Sequence, residues 1–287
     1  MPPEQILKML LWGAAAPFAV AAASVFMLGR RADSSSGPAR PVIAGVLAFV
    51  IIYVVAQGLL IGWPTIPPRE AIQYLPLAAV LGALIGFLDL WIPLLRTRWA
   101  AVAVIAFAFV LPRIVPMSGK AAWLSDALLA WAILWSSMRE IVKSPTRFVP
   151  VVTLGLIAAC SAVALAGSGS LKLGQLAGIV AFASLGICAA QLVRHTVLIS
   201  GPAVGASTAV LASALGQGVA FGSTPQASAA IIALSAAVAM PAAFLGNVNS
   251  VDRTRVALVG AVVLLFAGAG AVFAIVYGRS PAYGTEY

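Results

Sequence analysis

Apolar stretches about twenty residues long recur from one end of this 287-residue chain to the other, and no other feature narrows its fold so far. A helix rising about 1.5 Å per residue needs that length to cross a hydrocarbon layer of roughly 30 Å, so each run is a candidate membrane span. Bounded by charge, Pro or Gly, the runs fall at about 9–28, 42–62, 76–95, 99–116, 121–138, 148–168, 173–193, 202–222, 226–246 and 256–278. This predicts an all-α fold, a polytopic transmembrane helix bundle of about ten spans, in a single integral membrane domain over 1–287. The fourth run carries Pro112, Arg113 and Pro116, and the fifth contains Asp126; were these two a single dipping hairpin, about eight spans would remain. Hydrophobic residues make up 62% of the chain and charged residues 9%, too little polar surface to clothe a water-soluble core and no room for a separate soluble catalytic domain.

Lys and Arg are retained in cytoplasmic loops, and here they sort by alternate loops. One side collects Arg30, Arg31, Arg40, Arg96, Arg98, Arg139, Lys143, Arg147, Arg194, Arg253 and Arg255; the other holds Lys8, Arg69, Arg113, Lys120, Lys172 and Arg279. The richer side is read as cytoplasmic, which puts both termini outward and fits a bacterial inner (cytoplasmic) membrane. The net charge of +9 is spread over short loops rather than gathered on one face, which argues for contact with anionic membrane lipids and against nucleic acid. One Lys precedes the first run and Arg30-Arg31 follows it, the reverse of a secretory signal, so no cleavage is expected.

Between helices in lipid, close approach through small residues replaces the hydrophobic drive. Gly82 and Gly86, Gly174 and Gly178, Gly201 and Gly205, and Gly218 and Gly222 each repeat after four residues, which places a smooth stripe on one helix face. The second half is denser in Ala, Gly and Ser, so its helices are expected to be the buried ones. Trp123, Trp131 and Trp135 share a face, read as interface anchors at either end and an exposed ridge at Trp131. Ala44–Phe49 followed by Gln57 resembles Ala177–Phe182 followed by Gln191, five spans on and oppositely directed, which makes a five-plus-five inverted repeat with halves 1–147 and 148–287 a candidate.

Polar residues at membrane depth are costly and mark sites or helix contacts. Asp89 lies about six residues from the inner end of its span, within reach of Arg30, Arg96 or Arg98, and Asp126 lies near the outer end of the fifth span with Arg113 as its natural partner. Tyr53 and Gln57 share one face, Ser184, Cys188 and Gln191 a second, and Ser213 and Gln217 a third. By helical rise Gln57 and Gln217 reach the same depth, so a direct hydrogen bond between them is expected. His195 is the single histidine, which excludes paired-imidazole haem and two-histidine zinc sites, and it has no neighbouring acid for a catalytic triad. Gly167–Lys172 reads as a tight turn rather than a phosphate cradle, and Cys160 and Cys188 lie at depths too unequal for a disulfide. No catalytic, cofactor-binding or metal residues are therefore assigned. Two functions fit: a transporter or facilitator of a small uncharged or zwitterionic organic solute lined by these polar residues, and a non-catalytic structural or assembly subunit bound to other membrane subunits.

Overall fold

The computed structural model describes residues 3–29, 47–64, 68, 70–91, 123–144, 146, 148–194, 201–244 and 252–278, and every regular element among them is helical. The first run forms α1 (Pro3–Leu10) and α2 (Ala16–Gly29), joined without a break by a wide π turn at Leu11–Ala15. Pro17 has no N–H for the carbonyl four residues back, and the widened turn accommodates that gap. A second π turn, Leu47–Ile51, leads into α3 (Ile52–Leu60). A 3-10 turn at Ala71–Tyr74 opens α4 (Leu75–Trp91). Then follow α5 (Trp123–Ile141), α6 (Phe148–Gly167), α7 (Leu171–Arg194), α8 (Gly201–Phe221), α9 (Gln226–Phe244) and α10 (Asp252–Tyr277). Pro76, Pro150 and Pro202 sit in the first turns of α4, α6 and α8, where the missing N–H costs nothing.

Among the described residues seven segments are long and apolar enough to cross a membrane: Pro3–Phe26, Ala71–Asp89, Phe148–Gly167, Leu171–Val193, Gly201–Phe221, Gln226–Phe244 and Arg253–Tyr277. Phe49–Leu60 is a shorter apolar helix, and α5 is long enough but carries Asp126, Arg139 and Glu140. The span expected at 99–116 lies outside the described residues. The outer surface is apolar too. Leu192, Val193, Leu265, Val272 and Val276 are each more than half exposed on helix flanks, a surface that suits hydrocarbon and not water. An integral membrane protein is what these helices make.

The core sits in the second half of the chain, as its small residues foretold. The buried share is 78% for Gly201–Phe221 and 61% for Phe148–Gly167, against 33% for Ala71–Asp89 and 17% for Pro3–Phe26. Central α8 packs on α4 on one side and α5 on the other; α6 lies between α7 and α10, and α2 covers α7. The α4–α8 contact is antiparallel, with Gly82 against Gly205 and Gly86 against Gly201 backbone to backbone. Two further stripe glycines differ: Gly174 meets Ala162 and Ala166, whereas nothing approaches a Cβ built on Gly178 within 4 Å.

We call upper the end where α4, α7 and α9 begin. Two tight turns meet there, one after α6 with Gly169 at φ 98° and one after α8. Ser168 and Thr224 hydroxyls bond at 2.6 Å across them, and Ser223 donates to the Ser168 carbonyl. The run Gly167–Lys172 is thus a turn and the head of a helix.

Candidate functional site

The upper end holds an open cavity with polar walls, and its floor is built from the turn that starts α4. Glu70 is extended (φ −119°, ψ 148°), its carbonyl accepts the Gln73 N–H at 3.0 Å, and the chain then winds through Ala71–Tyr74 into α4. A 3-10 turn leaves carbonyl lone pairs unspent, and two buried glutamines use them. Gln57 of α3 donates from Nε2 to the Ile72 carbonyl at 3.0 Å, and Gln217 of α8 donates from Nε2 to the Ala71 carbonyl at 2.9 Å. The direct Gln57–Gln217 bond expected from their depth is corrected accordingly: the two side chains do come to one level, but each spends its amide on the backbone running between them.

Above Gln217 opens a cavity of about 870 Å3. Three pieces of chain wall it: Pro68 and Glu70–Tyr74 before α4, Gly169–Leu173 at the head of α7, and Phe221 at the foot of α8. Glu70 and Lys172 bring opposite charges to different walls. The first-turn N–H groups of α7 and the last carbonyls of α8 add a positive and a negative helix end. Sequence reasoning found Gln217 but missed Glu70 and Lys172, which are ordinary loop charges until the fold sets them around one opening.

The remaining candidates are dispersed. Asp89, near the lower end of α4, pairs with Arg139 of α5, Nε to Oδ2 at 3.0 Å; the partners expected for it were Arg30, Arg96 or Arg98. Those three arginines lie outside the described residues, and Arg139 reaches Asp89 because α4 and α5 run parallel and end together. The guanidinium also lies 5.9 Å from the Trp135 ring, and Trp135 stacks on Trp131 at 5.6 Å. Both indoles are buried, at 3% and 9% exposure, so the expected exposed Trp ridge is corrected: this face of α5 is core. The Trp123 side chain lies outside the described residues.

Asp126, at the upper end of α5, accepts from Gln226 Nε2 at 3.4 Å; its expected partner Arg113 lies outside the described residues. Tyr53 and Gln57 do share a buried face of α3, where the Tyr53 hydroxyl and Gln57 Oε1 have no hydrogen-bond partner among the described residues. Gln191, at the lower end of α7, is equally buried, and neither amide atom is bonded among the described residues. Ser213 is half-buried on α8 and does not line the upper cavity, while Ser184 turns back to the Val180 carbonyl at 2.8 Å. Ser184 and Cys188 line an apolar groove of about 430 Å3 between α6 and α7. Cys160 and Cys188 are free thiols. Among the described residues no three His, Cys, Asp or Glu side chains gather as a metal site. Of the seven candidates the fold brings Gln57 and Gln217 together around one turn, keeps Tyr53 beside Gln57 on α3, and leaves Asp89, Asp126, Gln191 and Ser213 at separate places.

Comparison with family models, with curated proteins and with solved structures gives no match.

Proposed function

We propose that the protein is a transporter or facilitator whose upper cavity admits a small zwitterionic organic solute. The cavity of about 870 Å3 above the buried Gln217 carries this reading, because it is the right size for a small solute and its walls offer charge of both signs. A carboxylate is drawn to Lys172 and the first turn of α7; an ammonium is drawn to Glu70 and the closing carbonyls of α8. Gln217 then presents an amide at the base. Lipid-facing helices with little soluble chain fit passage through a membrane better than catalysis, and no enzymatic role is proposed.

The same reading takes the upper end as the outside of a bacterial inner membrane, with ten spans in two inverted halves, 1–147 and 148–287. Two observations support it. The third and eighth runs, which such a repeat makes equivalent, pack antiparallel on one another, Gly82 against Gly205 and Gly86 against Gly201. Among the described residues Arg139, Lys143, Arg194, Arg253 and Arg255 lie at the end opposite the cavity, against Lys8 and Lys172 on the other side. The alternative, a structural or assembly subunit of a membrane complex, loses a support with the burial of Trp131 and Trp135.

The test is uptake by the purified protein in liposomes, with radiolabelled common amino acids as probes and empty liposomes as control. Saturable uptake of at least one, cut at least about tenfold by Lys172→Gln or Glu70→Gln in a folded protein, is expected; a tenfold loss corresponds to about 1.4 kcal/mol of binding. No uptake above empty liposomes, or uptake indifferent to both charges, contradicts the reading.

A further inference from the structure

A second chamber of about 240 Å3 lies between α5, α8 and α9, away from the cavity just described and independent of what enters it. At its rim are one carboxylate and one amide, Asp126 near the start of α5 and Gln226 at the start of α9, joined at the long distance of 3.4 Å. Below Asp126 the same face of α5 continues with Leu129, Ala130 and Ile133, three, four and seven residues on. Below Gln226, α9 repeats the pattern with Ala229, Ala230 and Ala233, and Leu215 of α8 forms the back wall. Ala130 of α5 and Ala229, Ala230 and Ala233 of α9 leave the space open between larger aliphatic neighbours. Each wall is thus an acid or amide head over an apolar stripe, and among the described residues no Lys or Arg lies within ion-pair distance of Asp126.

We propose that this chamber binds a lipophilic amine, its ammonium paired with Asp126 and its hydrocarbon body held among the α5, α8 and α9 side chains. Charge selects the occupant. A neutral chain from the bilayer satisfies the walls but leaves the carboxylate unanswered, and an anion is repelled by it. A hydrophilic cation gains nothing from the walls. An alkylammonium ion answers both, and Gln226 Oε1 is placed to take a second ammonium proton.

The experiment uses the full-length protein in nanodiscs of zwitterionic lipid, titrated calorimetrically with n-hexylamine and with hexan-1-ol, heats from protein-free nanodiscs being subtracted. Hexylamine is expected to bind at least about tenfold more tightly than the alcohol, the worth of one charge-assisted hydrogen bond. Asp126→Asn brings the two ligands to parity with the melting temperature retained. Ala230→Phe fills the chamber and abolishes saturable binding of both. Equal affinity for amine and alcohol in the unaltered protein overturns the proposal and makes the chamber a berth for bilayer hydrocarbon. Preference for the amine that survives Asp126→Asn, or binding that survives Ala230→Phe, overturns it as well.

Discussion

Gln57, Gln217 and Gln191 are each 1% exposed, yet their amides stand in different circumstances. Gln57 and Gln217 donate to adjacent carbonyls of one turn; neither amide atom of Gln191 is bonded among the described residues. Replacing either of the first two by Leu removes one hydrogen bond and loosens the start of α4, a loss of about 1 kcal/mol, whereas Gln191→Leu removes a desolvated amide and is neutral or stabilising by about 1 kcal/mol. Thermal melts of the three variants in nanodiscs check this ordering. The Asp89–Arg139 pair lends itself to a double substitution. Arg139→Leu alone removes a charge-assisted contact from a largely buried carboxylate and is expected to cost about 1.5–3 kcal/mol, while Asp89→Leu with Arg139→Leu recovers part of it. A double variant less stable than the single one contradicts a simple buried pair. Helical rise was enough to set Gln57 and Gln217 at one depth. It could not supply their acceptors, because the spare carbonyls of a 3-10 turn leave no mark on the residue pattern. Nor could it supply Arg139: that partner follows from α4 and α5 flanking α8 in the same direction, which brings their lower ends within reach of one another, not from nearness along the chain.

Among the helices, contact between α4 and α8 rests on backbones that touch. A Cβ at Gly82 would meet the Gly205 backbone and stand 2.7 Å from the Ala209 Cβ; one at Gly86 would stand 2.8 Å from the Pro202 Cα. Backbone cannot yield as a flexible side chain can, so Gly82→Leu forces the two helices apart and is expected to lower the melting temperature or abolish folding. Gly178→Ala adds a methyl where nothing lies within 4 Å and gains helix propensity, so it is expected to match or exceed the unaltered protein. Equal melts for the two variants would contradict this packing. The four-residue glycine spacing announced such stripes, and at 82/86 and 201/205 they are a helix interface. Spacing alone could not tell that Gly178 faces a groove, since an empty wall and a close neighbour call for the same small residue. The tryptophans of α5 misled for the matching reason. Indole suits a headgroup layer and a protein core alike, and Arg139 over Trp135 on a packed face decides for the core.

Across the whole molecule, the alternation of helices fixes which residues share an end. Asp126 meets Gln226, Gln57 and Gln217 meet the start of α4, and Ser168 meets Thr224, all at the upper end. Asp89 meets Arg139 and Ser144 donates to the Ala243 carbonyl at 2.9 Å, both at the lower end. Among the described residues seven of the expected runs are helices long and apolar enough to span, since length and apolarity are what lipid demands of a helix, while the runs at 42–62 and 121–138 are helical over 47–60 and 123–141. The upper cavity was not legible, because it is assembled from loop and helix-end residues brought from 68–74, 169–173 and 217–221. A membrane-spanning bundle with its cavity outside makes one accessibility pattern. In a Cys160→Ser/Cys188→Ser background, Lys172→Cys marks the upper end and Lys143→Cys the lower. An impermeant maleimide on intact cells is expected to label position 172 and to reach position 143 only after the membrane is permeabilised. Labelling of both positions in intact cells, or of 143 alone, would contradict it.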